Sequence, residues 1–149
     1  MSIKENALTI NSIEELTIHS LDRSLEGLEM LRRESMKCGE SLLSNPQEGL
    51  ALFSSLASNL HTFCVFEGDI CSLFEIDGDR IRDNKGSLKS VEARFRRVLD
   101  EIATRLGTND LPSLSDQLRI DLPQLLDRFQ DLLPILKDYI NDEYLAPSN

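Results

Sequence analysis

Apolar residues recur at helical spacing along most of this chain, and the breaks between them predict four helices. Residues 1 to 11 carry no such period, so a short arm is expected there, with Ala7, Thr9 and Ile10 suited to extended backbone. Ser12 followed by Glu15 reads as a capping box, in which the hydroxyl accepts from a free amide and the carboxylate reaches back. A first helix is therefore predicted over 13–43. Ile13, Ile18, Leu21, Leu25, Leu28, Leu31 and Leu42 lie on its inner face, with acids and bases mostly opposite.

Asn45, Pro46 and Glu48 combine a cap residue, a proline suited to the first turn and an acid near the positive end of the helix dipole. The second helix, predicted over 46–76, must follow at once and fold back as an antiparallel hairpin. Asp77 to Gly86 is rich in turn residues and should connect to a third helix over 87–106. Its stripe is Leu88, Val91, Phe95, Val98, Leu99, Ile102 and Leu106, and Gly107 is expected as its C-terminal cap. Residues 108–120 are predicted to hold at most one helical turn. Asp121, Pro123 and Gln124 then open a fourth helix over 121–145, with Leu125, Phe129, Leu132, Leu136, Tyr139 and Ile140 inward and a kink at Pro134. Residues 146–149 are expected to fray. The economical assembly is all-α, a single-domain, up-down-up-down four-helix bundle over residues 1–149.

One position breaks the pattern. Leu56, Leu60, Phe63, Glu67, Ile70 and Phe74 fall on one stripe at about 100° per residue, so a carboxylate lies on the apolar face of the second helix. Buried, it must find a partner or hold its proton. Three arrangements meet that demand: a hydrogen bond from the Tyr139 hydroxyl, an ion pair with Arg32 or Arg94, or a groove that leaves Glu67 wet. The outward face is equally unusual. The second helix has no Lys or Arg, and Ser54, Ser58 and Thr62, with His61 among them, make a weakly charged surface suited to a protein partner or to a second copy of the chain.

Composition narrows the functional classes. The 149 residues carry a formal charge of −10, which argues against nucleic acid and anionic membranes, both polyanions that demand clustered Lys and Arg. Aromatics are only 5%, with no Trp, as suits an aliphatic bundle better than a ligand-stacking groove. Three cysteines without framework spacing point to a reducing, cytoplasmic setting. Cys64 and Cys71, two turns apart on one helix, would have Cα atoms ~10 Å apart, beyond disulfide reach. No apolar stretch approaches about 18 residues, so no membrane span is expected.

Candidate chemistry is sparse. His61, Cys64, Glu67 and Cys71 include soft-metal ligand types, but the second ligand pair of a zinc site is missing, so no metal or other cofactor is expected. Asp77, Asp79, Asp83 and Gly86 match no calcium-loop register. Residues 78–107 carry an excess of Lys and Arg, with Glu92–Arg96 and Arg97–Glu101 spaced for intrahelical pairs. An exposed histidine midway along the second helix of a bundle resembles the phosphoacceptor of histidine phosphotransfer modules. That family typically has Lys and Gly three and four positions on, where this chain has Cys64 and Val65. The resemblance implies phosphorelay signalling through His61 as an alternative. The leading expectation is a non-enzymatic interaction module, an adaptor, regulator or small chaperone, with contacts on the second helix and around Pro134.

Overall fold

The computed structural model describes the backbone of residues 2–145 and the side chains of residues 13–144. The chain is all-α. Helix α1 is Ser2–Ser44, α2 is Pro46–Leu73 and α3 is Leu88–Gly107. A short α4, Leu111–Asp116, passes through a π-helical turn, Gln117–Asp121, into α5, Leu122–Ile140, and a second π turn, Asn141–Leu145, ends the described segment. The frayed tail expected at 146–149 lies outside the described residues.

The second helix, expected to run to residue 76, ends at Leu73, with Phe74 as its C-cap. Three further boundaries differ from expectation for identifiable reasons. The arm predicted over residues 1–11 is helical from Ser2, and the Ser12–Glu15 box falls inside α1. No proline or glycine interrupts the chain before Gly27, so nothing local stops the helix from extending back. Ile13, counted as core, is 49% exposed, and among the described residues the packed face begins at Thr17 and Leu21. The last helical body starts not at Asp121 but at Asp110, whose side chain accepts from the Ser113 amide with Pro112 in the first turn. Asp121 has helical dihedrals and makes no capping bond. Gly107 is the last residue of α3 rather than its cap, and Asn109 takes the left-handed conformation at φ 58°.

The connector between α2 and α3 is more structured than a loop. A 3-10 turn, Gly78–Arg80, leads into a minimal antiparallel hairpin of β1, Arg82–Asp83, and β2, Gly86–Ser87. Ile76 and Ile81 anchor it in the core. Arg128 of α5 clamps it by donating to both carboxylate oxygens of Asp83 at 2.7 and 2.8 Å, which holds the Asp83 carboxyl well below the usual carboxylate range. Ser87 then caps α3 by accepting from the Ser90 amide.

Helix α5 is the central element. Leu122, Leu125, Leu126, Phe129, Leu132, Leu133, Leu136 and Ile140 are all buried against α1 and α3. A hydrogen bond from Lys137 to Asp22 and an ion pair between Arg32 and Asp127 tie α5 to α1 at its edges. At the α4 end, Ser115 donates to the Gly39 carbonyl at 2.6 Å. Pro134 lies inside α5, and the helix continues past it to Ile140.

Helix α2 packs along α1, with Leu56, Leu60, Phe63, Glu67 and Ile70 inward. By length and composition α2 does reach what a membrane span requires, contrary to expectation, with 22% of its most apolar stretch buried. Only Asn45 separates α1 from α2, and its side chain accepts from the Glu48 amide. Gly49 makes the close approach possible: a Cβ there would sit 2.6 Å from Leu42 N and 2.7 Å from Leu42 Cα. Gly49→Ala should therefore cost about 1–3 kcal/mol by overpacking backbone against backbone. At Gly27 an added Cβ meets nothing within 4 Å, so Gly27→Ala should gain about 0.5–1 kcal/mol. Urea denaturation of the two variants checks the contrast, and equal shifts would contradict it.

Candidate functional site

Helices α2 and α3 do not close on each other along their whole length. Phe53, Leu60 and Cys64 of α2 face Leu99, Ile102 and Leu106 of α3 across an apolar cavity of about 420 Å³. Two residues expected as core are therefore groove wall: Leu99 and Leu106 line the cavity and are only half-buried. Ala57 and Ala103 lie at the mouth with little side chain to close it, and His61 and Arg96 stand on the rim.

The groove closes toward the C-terminal end of α2. There Phe63 and Phe95 both meet the Phe129 ring edge-on, at centroid distances of 5.1 and 5.4 Å. A second cavity of about 230 Å³ lies against this aromatic cluster, and Glu67 and Glu92 enter it from opposite helices. Cys64 and Arg96 border both cavities, so the two adjoin.

Glu67 is 4% exposed and does not use Tyr139, Arg32 or solvent. Its side chain hydrogen-bonds that of Glu92, and the Cys71 thiol donates to its Oε1 at 3.7 Å. Tyr139 packs half-buried against the core, and Arg32 pairs with Asp127 at 3.1 Å. Two carboxyl groups can share such a contact only through a proton. Burial, then the Glu92 hydrogen bond and charge, raise the Glu67 carboxyl to about 8, against smaller opposing effects of Cys71 and Arg96. At neutral pH Glu67 thus keeps its proton and donates it to Glu92.

The spacing rule that paired Glu92 with Arg96 fails because Glu92 turns inward to Glu67. Glu101 likewise binds Arg105 at 3.9 Å and Gln117 at 2.7 Å rather than Arg97. Burial and the charges of Glu67 and Glu92 push the Cys64 thiol up to about 11, and burial first pushes Cys71 up to about 12. Both stay protonated at neutral pH and are poor nucleophiles. Among the described residues no group of three or more His, Cys, Asp or Glu side chains is placed to hold a metal ion.

Ser54, Ser58, His61 and Thr62 are all exposed. At 100° per residue, Ser54, Ser58 and His61 form the outer ridge of α2. Thr62 turns toward α1, where with Met30, Glu34 and Phe66 it borders a shallow cavity of about 370 Å³. The ridge separates two grooves rather than forming one itself. Sequence reasoning missed Glu92 and the groove walls. Glu92 sits one position from buried Val91 at the edge of a helix stripe, and nothing local marks Leu99 and Leu106 as less covered than Phe95.

Comparison with known protein families, curated proteins and solved structures gives no match.

The carboxyl pair carries a pH dependence of defined sign. Glu67 holds its proton more tightly in the folded chain, at about 8, than its ordinary value of 4.5. Its stabilising contribution is full below about pH 4.5, falls as pH rises and is gone above about 8. Unfolding free energy should decline across pH 5 to 8 by at most ~1.4 kcal/mol per pH unit. Glu67→Gln should flatten that slope, because the amide cannot ionise. Asp83 acts at the acid end and does not contribute in this window. Urea titrations of both proteins at half-unit pH steps check this, and parallel profiles would refute it.

Proposed function

We propose that this protein is a non-enzymatic interaction module, an adaptor, regulator or small chaperone, that receives an amphipathic helix of a protein partner in the groove between α2 and α3. The observation that carries the reading is the apolar cavity of about 420 Å³ left between facing aliphatic walls. Grooves of this kind take a partner helix by its i, i+3, i+4 and i+7 apolar anchors. The absence of Lys and Arg from α2 lets a partner approach without displacing long charged side chains.

The scaffold we propose is the up-down-up-down four-helix bundle, with α4 and α5 as one bent body. Support comes from contacts that run in opposite senses. Cys38 of α1 binds the Gly49 carbonyl while Asn59 reaches back to Glu34. Asp22 meets Lys137 while Ser35 meets Leu118. Three free cysteines support a cytoplasmic location, and the −10 charge disfavours nucleic acid and anionic membrane as partners. The exposed α2 ridge is also compatible with a homodimer.

Affinity capture followed by mass spectrometry, run on wild type and two double variants, tests the reading. Ala57→Trp with Ala103→Trp fills the groove; Ser58→Lys with Thr62→Lys charges the ridge. A partner held by wild type and by the lysine variant but lost by the tryptophan variant is expected. A partner lost only from the lysine variant would move the interface to the ridge, and none above background would sink the module.

One observation favours a second reading, phosphotransfer through His61. Arg96 shares the cavity rim with His61 and offers a cation where the phosphotransfer family places Lys three positions on. A phosphodonor should then yield acid-labile phosphate on wild type and none on His61→Gln.

A further inference from the structure

The partner's chemistry can be narrowed by what closes the groove, an inference that rests on the groove reading above. We infer that the occupant is a basic amphipathic helix whose apolar side chains fill the α2–α3 groove and whose lysine enters the adjoining cavity, bridging Glu67 and Glu92. From Phe53 to Glu67 is 14 residues of α2, or ~21 Å at 1.5 Å per residue. That length matches four turns of helix, with anchors at i, i+4 and i+7 along the aliphatic walls and a lysine one turn further.

Charge and shape agree at the closed end. Two acceptor carboxyls converge from opposite helices in a cavity of about 230 Å³ walled by Phe63, Phe95 and Phe129. An ammonium on a flexible alkyl stem suits that space: the stem lies against aromatic rings and three donors serve two carboxylates. A planar guanidinium is wider, and Arg96 already occupies the rim. In the free protein a proton holds the two carboxyls together. On binding, the lysine ammonium takes its place and the Glu67 proton passes to solvent, so atoms and charge balance. The groups that face the pair are Cys64 and Cys71 from α2 and Arg96 from α3, while α5 presents the Phe129 ring. A second copy of this chain is a poor occupant, since each carries −10.

The test uses the full chain and two probes of equal length, n-hexylammonium chloride and n-hexanol, titrated by NMR at pH 8.5 and 5.5. The ammonium should bind about 10-fold or more tightly than the alcohol at pH 8.5, shifting the amides of Cys64, Glu67 and Glu92. The advantage should shrink to about 3-fold or less at pH 5.5, where the proton competes. Glu92→Gln, at a half-buried position, should cut the ammonium's advantage over the alcohol at pH 8.5. Equal affinity for the two probes at pH 8.5 would overturn the lysine site and leave the groove standing. Failure of both probes to bind would remove the groove as well.

Discussion

A single residue between α1 and α2 sets the geometry on which the rest depends. Asn45 permits no excursion, so α2 must fold straight back along α1, and Gly49 lets the two backbones meet at Leu42. The Cys38 thiol donating to the Gly49 carbonyl at 3.4 Å lies at the same junction. With α2 fixed on α1 and α5 buried against α1 and α3, the inner contact between α2 and α3 is left to a few side chains. Phe63, Phe95 and Phe129 meet in one cluster, and Glu67 reaches Glu92 beside it. Further toward the N-terminal end of α2 nothing large enough spans the gap, and the groove is what remains.

Much of this was legible because helical periodicity is a local signal. The α2 stripe of Leu56, Leu60, Phe63, Glu67, Ile70 and Phe74 is buried at every position. The cap at Asn45 and Pro46 and the turn chemistry after Asp77 also stand as expected, because each depends on neighbours in sequence. The start of the last helical body was not legible for an instructive reason. Asp-Leu-Pro occurs twice, at Asp110 to Pro112 and at Asp121 to Pro123, and the two are equivalent as caps. Packing chooses the first: Leu114, Ser115 and Leu118 are fully buried, and Ser115 reaches the Gly39 carbonyl. Extending the helix through the second copy puts Pro123 in a helix interior, where its ring would crowd the carbonyl four residues back at Arg119. Arg119 lies in the π turn Gln117–Asp121, where the Leu122 amide reaches the Gln117 carbonyl across the widened turn.

Glu67 shows a different limit. Its anomaly was visible in the sequence, but its partner was not, because rules of charge pairing look for opposite signs and Glu92 has the same sign. Tyr139 and Arg32 were the natural candidates, and both are engaged elsewhere by tertiary packing. Only three-dimensional proximity, with burial strong enough to hold a proton on Glu67, makes a second glutamate the partner.

That choice bears on why the groove ends where it does. An aliphatic side chain at position 67 would continue the stripe and add to the core, and replacing buried ionisable pairs by apolar residues of similar volume is often neutral or stabilising. The carboxyl pair keeps the aromatic cavity polar at the point where the aliphatic groove runs out, so an acidic cavity adjoins an apolar one. If a partner helix binds there as proposed, this arrangement would fix its register. Sliding it by one turn, ~5.4 Å, would move a basic residue from the carboxyls onto Leu60 and Leu99, or an apolar residue onto the carboxyls. Either shift buries a polar group without a partner at a cost of about 1–3 kcal/mol, a penalty that falls on misregistered or non-basic helices. On the proposed reading, the apolar walls would supply contact area, and the carboxyl pair would supply discrimination between helices that the walls alone would accept alike.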